Sequence, residues 1–195
     1  MLPDLGRRAM MRNALLAALA GALPLGKTAV AFAQNSGEHI PGARDFDFFI
    51  GAWRVRHRRL KRRLAGSDEW QRFDGTCHVR SLLDGLANID DSFVDLPGGA
   101  YRGIGLRAYD PDTRHWADWW LDGRRPHKID VPVIGTFADG MGTFLSDDTF
   151  EGRPIKVRGR FSQITSASLQ WEQAYSADGG RTWETNWVMR YSRIA

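Results

Sequence analysis

Cysteine is scarce in this sequence of 195 residues, and so are long apolar runs. A single cysteine, Cys77, excludes a disulfide framework and a zinc site built from cysteines. The main apolar stretch, residues 14–25, is interrupted by Gly21 and Pro24. It is shorter than the roughly 20 residues that a membrane-spanning helix requires. The sequence therefore predicts no lasting membrane anchor.

An excess of one charge is also missing once the first 33 residues are set aside. Four of the 27 basic residues and one of the 23 acidic residues precede Gln34. The remaining chain is close to neutral, which argues against a dedicated nucleic-acid-binding protein. All eight tryptophans follow residue 34, and 43% of the whole chain is hydrophobic. This composition supports a folded core and excludes an intrinsically disordered chain.

The first 33 residues have the three-part layout of an export signal. Basic residues occur up to Arg12, the apolar stretch follows, and Ala31-Phe32-Ala33 fits a cleavage site with small residues. The adjacent Arg7 and Arg8 resemble the twin-arginine export motif, although its usual serine and phenylalanine are absent. An ordinary secretory signal is the alternative. Both predict a periplasmic or secreted protein whose mature chain begins at Gln34.

Helical periodicity is absent after residue 34, and an alternation of apolar and polar residues recurs instead. Turn-forming sequences such as Asp84-Gly85 separate the alternating segments. The pattern predicts a disordered lead-in over residues 34–44 and a single all-β domain over residues 45–195. About ten short antiparallel strands joined by hairpins form either a sandwich or an up-and-down barrel.

The segment 45–53 favours the barrel. It predicts one turn of helix that leads into a strand through Gly51-x-Trp53. This arrangement resembles the start of lipocalins and other calycins, in which the tryptophan plugs the closed end of the barrel. The runs at 83–91 and 171–183 also make residues 45–192 resemble an uncharacterised bacterial lipocalin-like family. The resemblance implies the fold and little about the chemistry.

Residues 176–183 fit the pattern Ser-x-Asp-x-Gly-x-Thr-Trp and resemble an Asp-box hairpin. Asp178 is expected to accept hydrogen bonds from backbone N–H groups of the turn, and Gly180 to adopt a positive φ. Trp183 is expected to pack across the hairpin. Asp-boxes repeat around the propellers of sialidases, but a single copy in a short chain implies a structural role. No sialidase activity is inferred.

Polar residues that fall on otherwise apolar strand faces mark the candidate ligand-binding site, because a buried polar group needs a partner. Inside a barrel they would converge on one cavity with aromatic walls, as in many small-molecule sites. The polar candidates are His57, Asp91, Arg102, His115 and Gln173, and the aromatic walls are Trp119, Trp171 and Trp187. The residues that a one-residue register shift would bring in instead are Asn88, Asp90, Arg107 and Trp120.

These residues predict an exported barrel that binds a small, partly apolar molecule in its interior cavity. The alternative is a lyase, isomerase or hydrolase that uses His57 or His115 as a base, with Asp91 as its orienting carboxylate. A third hypothesis is an anionic partner bound by the arginines within residues 54–63, although the alternation assigns most of them to a solvated face.

No metal or cofactor is predicted. The five histidines never occur at i, i+2 or i, i+4 spacing. Some calycin-like proteins hold haem through a histidine late in the chain, whereas the last histidine here is His127. No serine lies in a Gly-x-Ser-x-Gly elbow, and Cys77 shows no sign of activation.

Overall fold

Residues 40–194, which the computed structural model describes, form a closed barrel of ten antiparallel strands. The strands are β1 (Gly51–Leu60), β2 (Trp70–Leu82), β3 (Ala87–Val94), β4 (Tyr101–Asp110), β5 (His115–Asp122), β6 (Val133–Ala138), β7 (Met141–Phe150), β8 (Arg153–Ser162), β9 (Ser168–Ser176) and β10 (Glu184–Arg193). Each strand pairs with the next, and β10 returns to pair with β1, so no strand edge is left open. The predicted up-and-down barrel of about ten strands is confirmed.

Helical structure in this part of the chain is limited to two short 3₁₀ turns, at Asp47–Phe49 and Leu83–Gly85. Among the same residues there is no helix of the length and apolarity that a membrane crossing requires. The export signal predicted for residues 1–33 lies outside the described residues.

The first strand shows why the sequence alternates. Trp53, Val55 and His57 of β1 are buried inside the barrel, and the arginines between them are exposed on its outer surface. Successive side chains of a strand point to opposite faces, so each strand contributes every second residue to the interior.

One end of the barrel is closed by the segment that precedes β1. Phe46, just before the first 3₁₀ turn, and Phe49, its last residue, are at most 2% exposed and pack against Phe161 of β8. Trp53 is fully buried, and its indole N–H donates a hydrogen bond of 2.8 Å to the backbone oxygen of Phe49. The predicted helical turn and the plugging role of Trp53 are both observed.

Gly51 allows the chain to pass from the plug into β1. Its φ is +130°, and an added Cβ would lie 2.4 Å from Nη1 of Arg193. The Arg193 guanidinium donates hydrogen bonds to the backbone oxygens of Phe48 and Ile50 and stacks 4.1 Å above the Trp53 ring. The last strand is thereby fastened to the plug, and any side chain at position 51 would displace the guanidinium.

Residues 40–44 correct the predicted extent of the disordered lead-in. They form turns, and Ala43 is buried. The backbone oxygen of Gly42 accepts a hydrogen bond of 3.0 Å from the Trp116 indole, and that of Pro41 accepts one from the Tyr109 hydroxyl. These contacts make residues 40–44 part of the plug, because two aromatic side chains of β4 and β5 require polar partners there.

Candidate functional site

The half of the barrel away from the plug contains a cavity of about 730 Å³. This volume lies within the usual range for small-molecule sites. The aromatic residues that border it include Tyr101, Trp120, Phe161, Trp171, Tyr175 and Trp187. The loops after β1, β3, β5, β7 and β9 surround the open end, because odd-numbered strands run from the plug toward that end. The cavity is therefore a pocket with one closed end.

Five of the predicted site residues border the cavity, and four of them, His57, Trp171, Gln173 and Trp187, do so from its inner wall. These four lie on the adjacent strands β1, β10 and β9, where Trp187 pairs with Gln173 and His57 pairs with Met189. The structure thus brings them to one wall. Their role in binding remains a prediction.

His57 is a neutral hydrogen-bond donor in this wall. The Trp187 indole N–H donates to Nδ1 of His57 at 3.2 Å, and the imidazole stacks on Phe73 at 4.7 Å. An indole can only donate, so Nδ1 carries no proton and the neutral ring holds its hydrogen on Nε2. Burial, with a smaller contribution from Arg59, lowers the pKa of His57 to about 4. His57 therefore offers an N–H group at neutral pH.

Gln173 supplies an unused acceptor in the same wall. Its Oε1 is buried and has no hydrogen-bond partner within residues 40–194. A buried amide oxygen without a partner is costly, and native proteins rarely leave one unsatisfied. Gln173 sits between Trp187 of β10 and Gly159 of β8, which has no side chain to contact it. The amide oxygen is therefore a polar atom of this wall that lacks a donor.

A buried ionic cluster forms the floor of the cavity. Arg107 donates hydrogen bonds to Asn88 at 2.9 Å and to Asp90 at 2.6 Å, and its Nε lies 3.3 Å from Asp118. The guanidinium also lies 4.9 Å from the Phe49 ring centre. One cation and two carboxylates meet at the boundary between plug and cavity.

The protonation of the cluster reflects burial and charge. Burial, assisted by Asp90 and opposed by Arg107, raises the pKa of Asp118 to about 6. Burial alone would lower the pKa of Arg107, but Asp118 and Asp90 outweigh it and raise that pKa above its ordinary value. Arg107 is therefore a permanent cation, and Asp118 is the group in the cluster that titrates near neutral pH.

The predicted inward orientation of Asp91 and Arg102 is wrong. Both are exposed on the outer surface, where Arg102 donates to Asp91 at 3.0 and 2.5 Å. Asp91 pairs with His78 and Arg102 with Phe93, so both strands are shifted by one residue from the predicted register. The residues named for that shift, Asn88, Asp90 and Arg107, take the interior positions.

His115 and Trp119 are also corrected. His115 is exposed at the plug end of β5 and hydrogen-bonds to the Thr113 backbone oxygen at 2.6 Å. Trp119 lies on the outer face of β5, where it pairs with Leu106 of β4. It borders the cavity from this outer face, whereas Trp120 takes the interior position. Trp116, Asp118 and Trp120 lie on the inner face of β5. The inward positions of this strand are therefore one residue away from those predicted.

Two glycines explain why the alternation of apolar and polar residues predicted the wrong inner face for β4. The inner face of this strand carries Gly103 and Gly105, which an apolar pattern does not score. A Cβ at Gly103 would lie 2.1 Å from the Trp120 ring, and one at Gly105 would lie 2.2 Å from the Asp90 carboxylate. Two glycines at alternate positions, in phase with Tyr101 and Tyr109, were the signal that could have indicated the inner face.

Arginines surround the open end of the cavity. Arg59 lies 4.7 Å above the Trp187 ring, and Arg63 donates to the Tyr175 hydroxyl at 3.1 Å. Arg124 stacks 3.9 Å above the Tyr101 ring and forms two parallel hydrogen bonds with Asp122. None of these mouth residues was among the candidates predicted to line the cavity. Arg59 and Arg63 belong to the basic run that was assigned mainly to a solvated face, with an anionic surface partner as the alternative.

No histidine–carboxylate pair is assembled at the cavity. His57 contacts Phe73 and Trp187, and no carboxylate of residues 40–194 hydrogen-bonds to it. Burial, and then Asp90, raises the pKa of the Cys77 thiol, which keeps this buried group protonated. Across the described residues no group of three or more metal-ligating side chains occurs. The pair required by the enzyme alternative is therefore not brought together.

The hairpin that resembles an Asp-box has the expected hydrogen bonds. Asp178 accepts from the backbone N–H groups of Thr182 at 2.9 Å and Arg181 at 3.0 Å, and these interactions lower its pKa. Gly180 has a φ of +97°. Trp183 donates to the Gly180 oxygen at 2.9 Å. The hairpin is a rigid turn between β9 and β10 at the open end.

Comparisons with known proteins give a similarity of fold and no family. No known protein family and no curated protein matches the chain. Its fold is similar to that of the S-type phycobiliprotein lyase from Guillardia theta, with a TM-score of 0.53 and 12% identity over 77% of this chain and 90% of that chain. EF1p2_mFAP2b bound to DFHBI aligns with a TM-score of 0.43 and 12% identity, over 78% of this chain and 99% of that one. A DUF3598-family protein of unknown function from Nostoc punctiforme aligns with a TM-score of 0.23 and 7% identity, over 78% and 99%. The similarity to the lyase structure supports the closed β-barrel fold of this chain.

Proposed function

We propose that this protein binds a small, partly apolar organic molecule inside its barrel. The observation that carries the proposal is the wall of the 730 Å³ cavity, where tryptophans surround an unpartnered amide oxygen of Gln173 and the N–H of a neutral His57. Apolar walls favour burial of an apolar body, and a few polar groups fix its orientation.

The site is suited to uncharged contacts at this wall. His57 donates and Gln173 accepts, so an uncharged acceptor and an uncharged donor of the ligand can each meet one of these residues. The buried carboxylates at the floor are already engaged by Arg107. The proposed ligand therefore lies above the floor, between the tryptophan walls.

The test is the binding of N-phenyl-1-naphthylamine, a neutral apolar fluorophore, to protein produced from the full sequence. Gly159→Leu adds a side chain inside the cavity at a position where a Cβ meets only ordinary contacts, the nearest at 3.5 Å from Trp171. We expect fluorescence enhancement with the unmodified protein and a loss of affinity of at least about tenfold in the variant, because the added side chain occupies the cavity.

Thr136→Leu is the matched control, since it places the same side chain on the exposed outer face of β6. It should leave binding unchanged. Equal affinity in the Gly159→Leu variant would place the fluorophore outside the barrel and contradict the proposal. An occupant that co-purifies would appear as a difference between native and denatured masses, and Gly159→Leu should reduce it.

We also propose that the protein is exported by the twin-arginine route and acts after export. The support is the layout of residues 1–33, with Arg7 and Arg8 ahead of the apolar stretch and a small-residue cleavage site. Replacing both arginines by lysine should hold the protein in the cytoplasm, as measured by cell fractionation. Arg12→Lys is the control and should be exported. Export of both variants would favour the ordinary secretory route.

A further inference from the structure

We propose that the ligand is an organic anion, whose acidic group is held at the cavity mouth by Arg59 and Arg63 while its apolar body enters the cavity. This inference rests on the proposed function and adds the chemical class of the ligand. Its basis is an imbalance among the arginines that line the cavity.

Two of the lining arginines are neutralised by neighbouring carboxylates. Arg107 lies 2.6 Å from Asp90, and Arg124 lies 2.5 Å from Asp122. Arg59 and Arg63 differ, since neither forms an ion pair with any carboxylate of residues 40–194. Arg59 and Arg63 are thus cations of the mouth without internal counter-ions. Arg125 and Lys128 also border the cavity without an ion pair to residues 40–194, but both are exposed in the loop after β5.

The surroundings of Arg59 and Arg63 are aromatic. Arg59, half-buried on β1, stacks on Trp187, and Arg63 lies 4.8 Å from the centre of the Phe150 ring. Burial, and then the charge of Arg63, lowers the pKa of the Arg59 guanidinium. An anion between the two side chains would relieve both effects, because an opposite charge stabilises a partly desolvated cation.

Two phenols complete the set of donors. Tyr175 accepts from Arg63 at 3.1 Å, so its own hydroxyl hydrogen remains free to donate. Burial raises the pKa of Tyr175 and of Tyr101, which keeps both phenols protonated. Both tyrosines line the cavity together with Arg59 and Arg63. Guanidinium and phenol groups together are well suited to a carboxylate or sulfonate.

The acidic residues at the mouth do not occupy this position. Asp130, Asp148 and Glu151 also border the cavity, but all three are exposed and none lies within ion-pair distance of Arg59 or Arg63. Their place on the rim leaves the two cations free for a ligand that comes from solution.

The depth of the cavity argues for an organic anion over a small inorganic one. Arg59 pairs with Trp187 at the mouth, and His57 lies two residues deeper on the same strand. Two residues along a strand span about 7 Å, roughly the length of one aromatic ring with a substituent. A ligand with its acidic group at Arg59 thus reaches His57 and Gln173 with its body between Trp171 and Trp187.

The experiment compares two fluorophores that differ by one charged group. 1-Anilinonaphthalene-8-sulfonate has the same ring system as N-phenyl-1-naphthylamine plus a sulfonate. With protein from the full sequence, the anion should bind at least about tenfold more tightly than the neutral probe, since each charge-assisted hydrogen bond contributes substantially. High salt should reduce that preference.

In the double variant Arg59→Gln/Arg63→Gln, the ratio of the two affinities should fall toward about one as the charge-assisted contacts are lost. Arg54→Gln/Arg56→Gln removes the same charge from the exposed outer face of β1 and should keep the ratio. The single variant Arg63→Gln, which changes only the loop after β1, should give an intermediate ratio and serves if the double variant folds poorly.

An unchanged ratio in folded Arg63→Gln and in the double variant overturns the anion inference. So does equal affinity for the two probes in the unmodified protein. Neither result contradicts the proposed function as long as Gly159→Leu weakens binding of the neutral probe as expected. If neither probe binds the unmodified protein, the proposed function itself fails. Undiminished binding of the anion to Gly159→Leu would place it on the surface and also overturn the inference.

Discussion

At the closed end of the barrel, Phe46, Phe49 and Trp53 are at most 2% exposed and fill the interior, whereas at the open end Trp171 and Trp187 border an empty volume. Phe46 and Phe49 contact Phe161 edge to face, and Phe49 and Trp53 contact Tyr191 in the same way. At the mouth, Trp187 contacts the Arg59 guanidinium and borders the cavity. The difference indicates that aromatic residues stabilise the barrel at one end and remain available to a ligand at the other.

The ionic cluster on Arg107 separates the two regions. Its guanidinium contacts the Phe49 ring of the plug on one side, and the same side chain borders the cavity. A buried cation held by two carboxylates is a rigid, polar floor. It limits how far a ligand can enter and keeps the plug from collapsing into the cavity.

The largest effect on stability should come from replacing one tryptophan by alanine, and it should differ between the plug and the mouth. Trp53→Ala should lower the free energy of unfolding by about 4 kcal/mol or more, because it leaves a cavity in a filled core. Trp171→Ala removes a half-buried ring that already faces open space, so it should cost only about 2 kcal/mol. Urea unfolding measures both.

Binding should respond in the opposite order. Trp171→Ala should weaken N-phenyl-1-naphthylamine binding strongly, since that ring forms a wall of the cavity. The folded fraction of Trp53→Ala should bind almost normally. Equal losses of stability for the two variants would mean that plug and mouth are not distinct regions.

The plug was predictable from the sequence because its signals are local. Gly51 and Trp53 stand two residues apart, the apolar residues before them are contiguous, and the strand that follows alternates cleanly. His57 was placed inside by the same alternation. Gln173 and Trp187 followed from strands with equally regular patterns.

The floor residues Asn88, Asp90 and Arg107 were predicted only as alternatives for a shifted register, and the mouth was not predicted as part of the cavity, because these residues depend on pairing across the barrel. Asp90 can face inward only because Arg107, from the next strand, neutralises it there. Arg59 lies in a run of arginines, and its contact with Trp187 joins residues far apart in sequence. The alternation of residues within one strand shows neither of these contacts. The inner and outer faces of β3, β4 and β5 were therefore predicted the wrong way round.

The next largest effect should come from Arg107. Arg107→Met leaves Asp90 and Asp118 buried without their cation, and should lower the free energy of unfolding by about 3 kcal/mol. Arg102→Met is the matched control, because it breaks an exposed ion pair on the outer face of the same strand. Its unfolding curve should nearly overlay that of the unmodified protein. A comparable loss in both variants would contradict the assignment of Arg107 to a buried floor.

The smallest predicted effect is a change of stability with pH. Its direction differs between Asp118 in the floor and His57 in the wall above it. Asp118 has a pKa raised to about 6, so the folded state binds the proton more tightly than the unfolded state. Its contribution to stability is present below about pH 4 and is lost as the pH rises through 6. His57 has a pKa lowered to about 4, so its contribution is present above about pH 6.5 and is lost on acidification.

The two contributions oppose each other between about pH 4 and 6.5 in the unmodified protein, and single variants should separate them. Relative to the unmodified protein, Asp118→Asn should become more stable by about 2 kcal/mol as the pH rises through this window, and His57→Gln less stable by a similar amount. Urea unfolding across the window measures both differences. Titrations of exposed carboxylates cancel in the comparison, since all three proteins share them. Parallel pH profiles for the three proteins would show that neither group is as buried as its neighbours indicate, and the polar floor would then be open to water from the cavity.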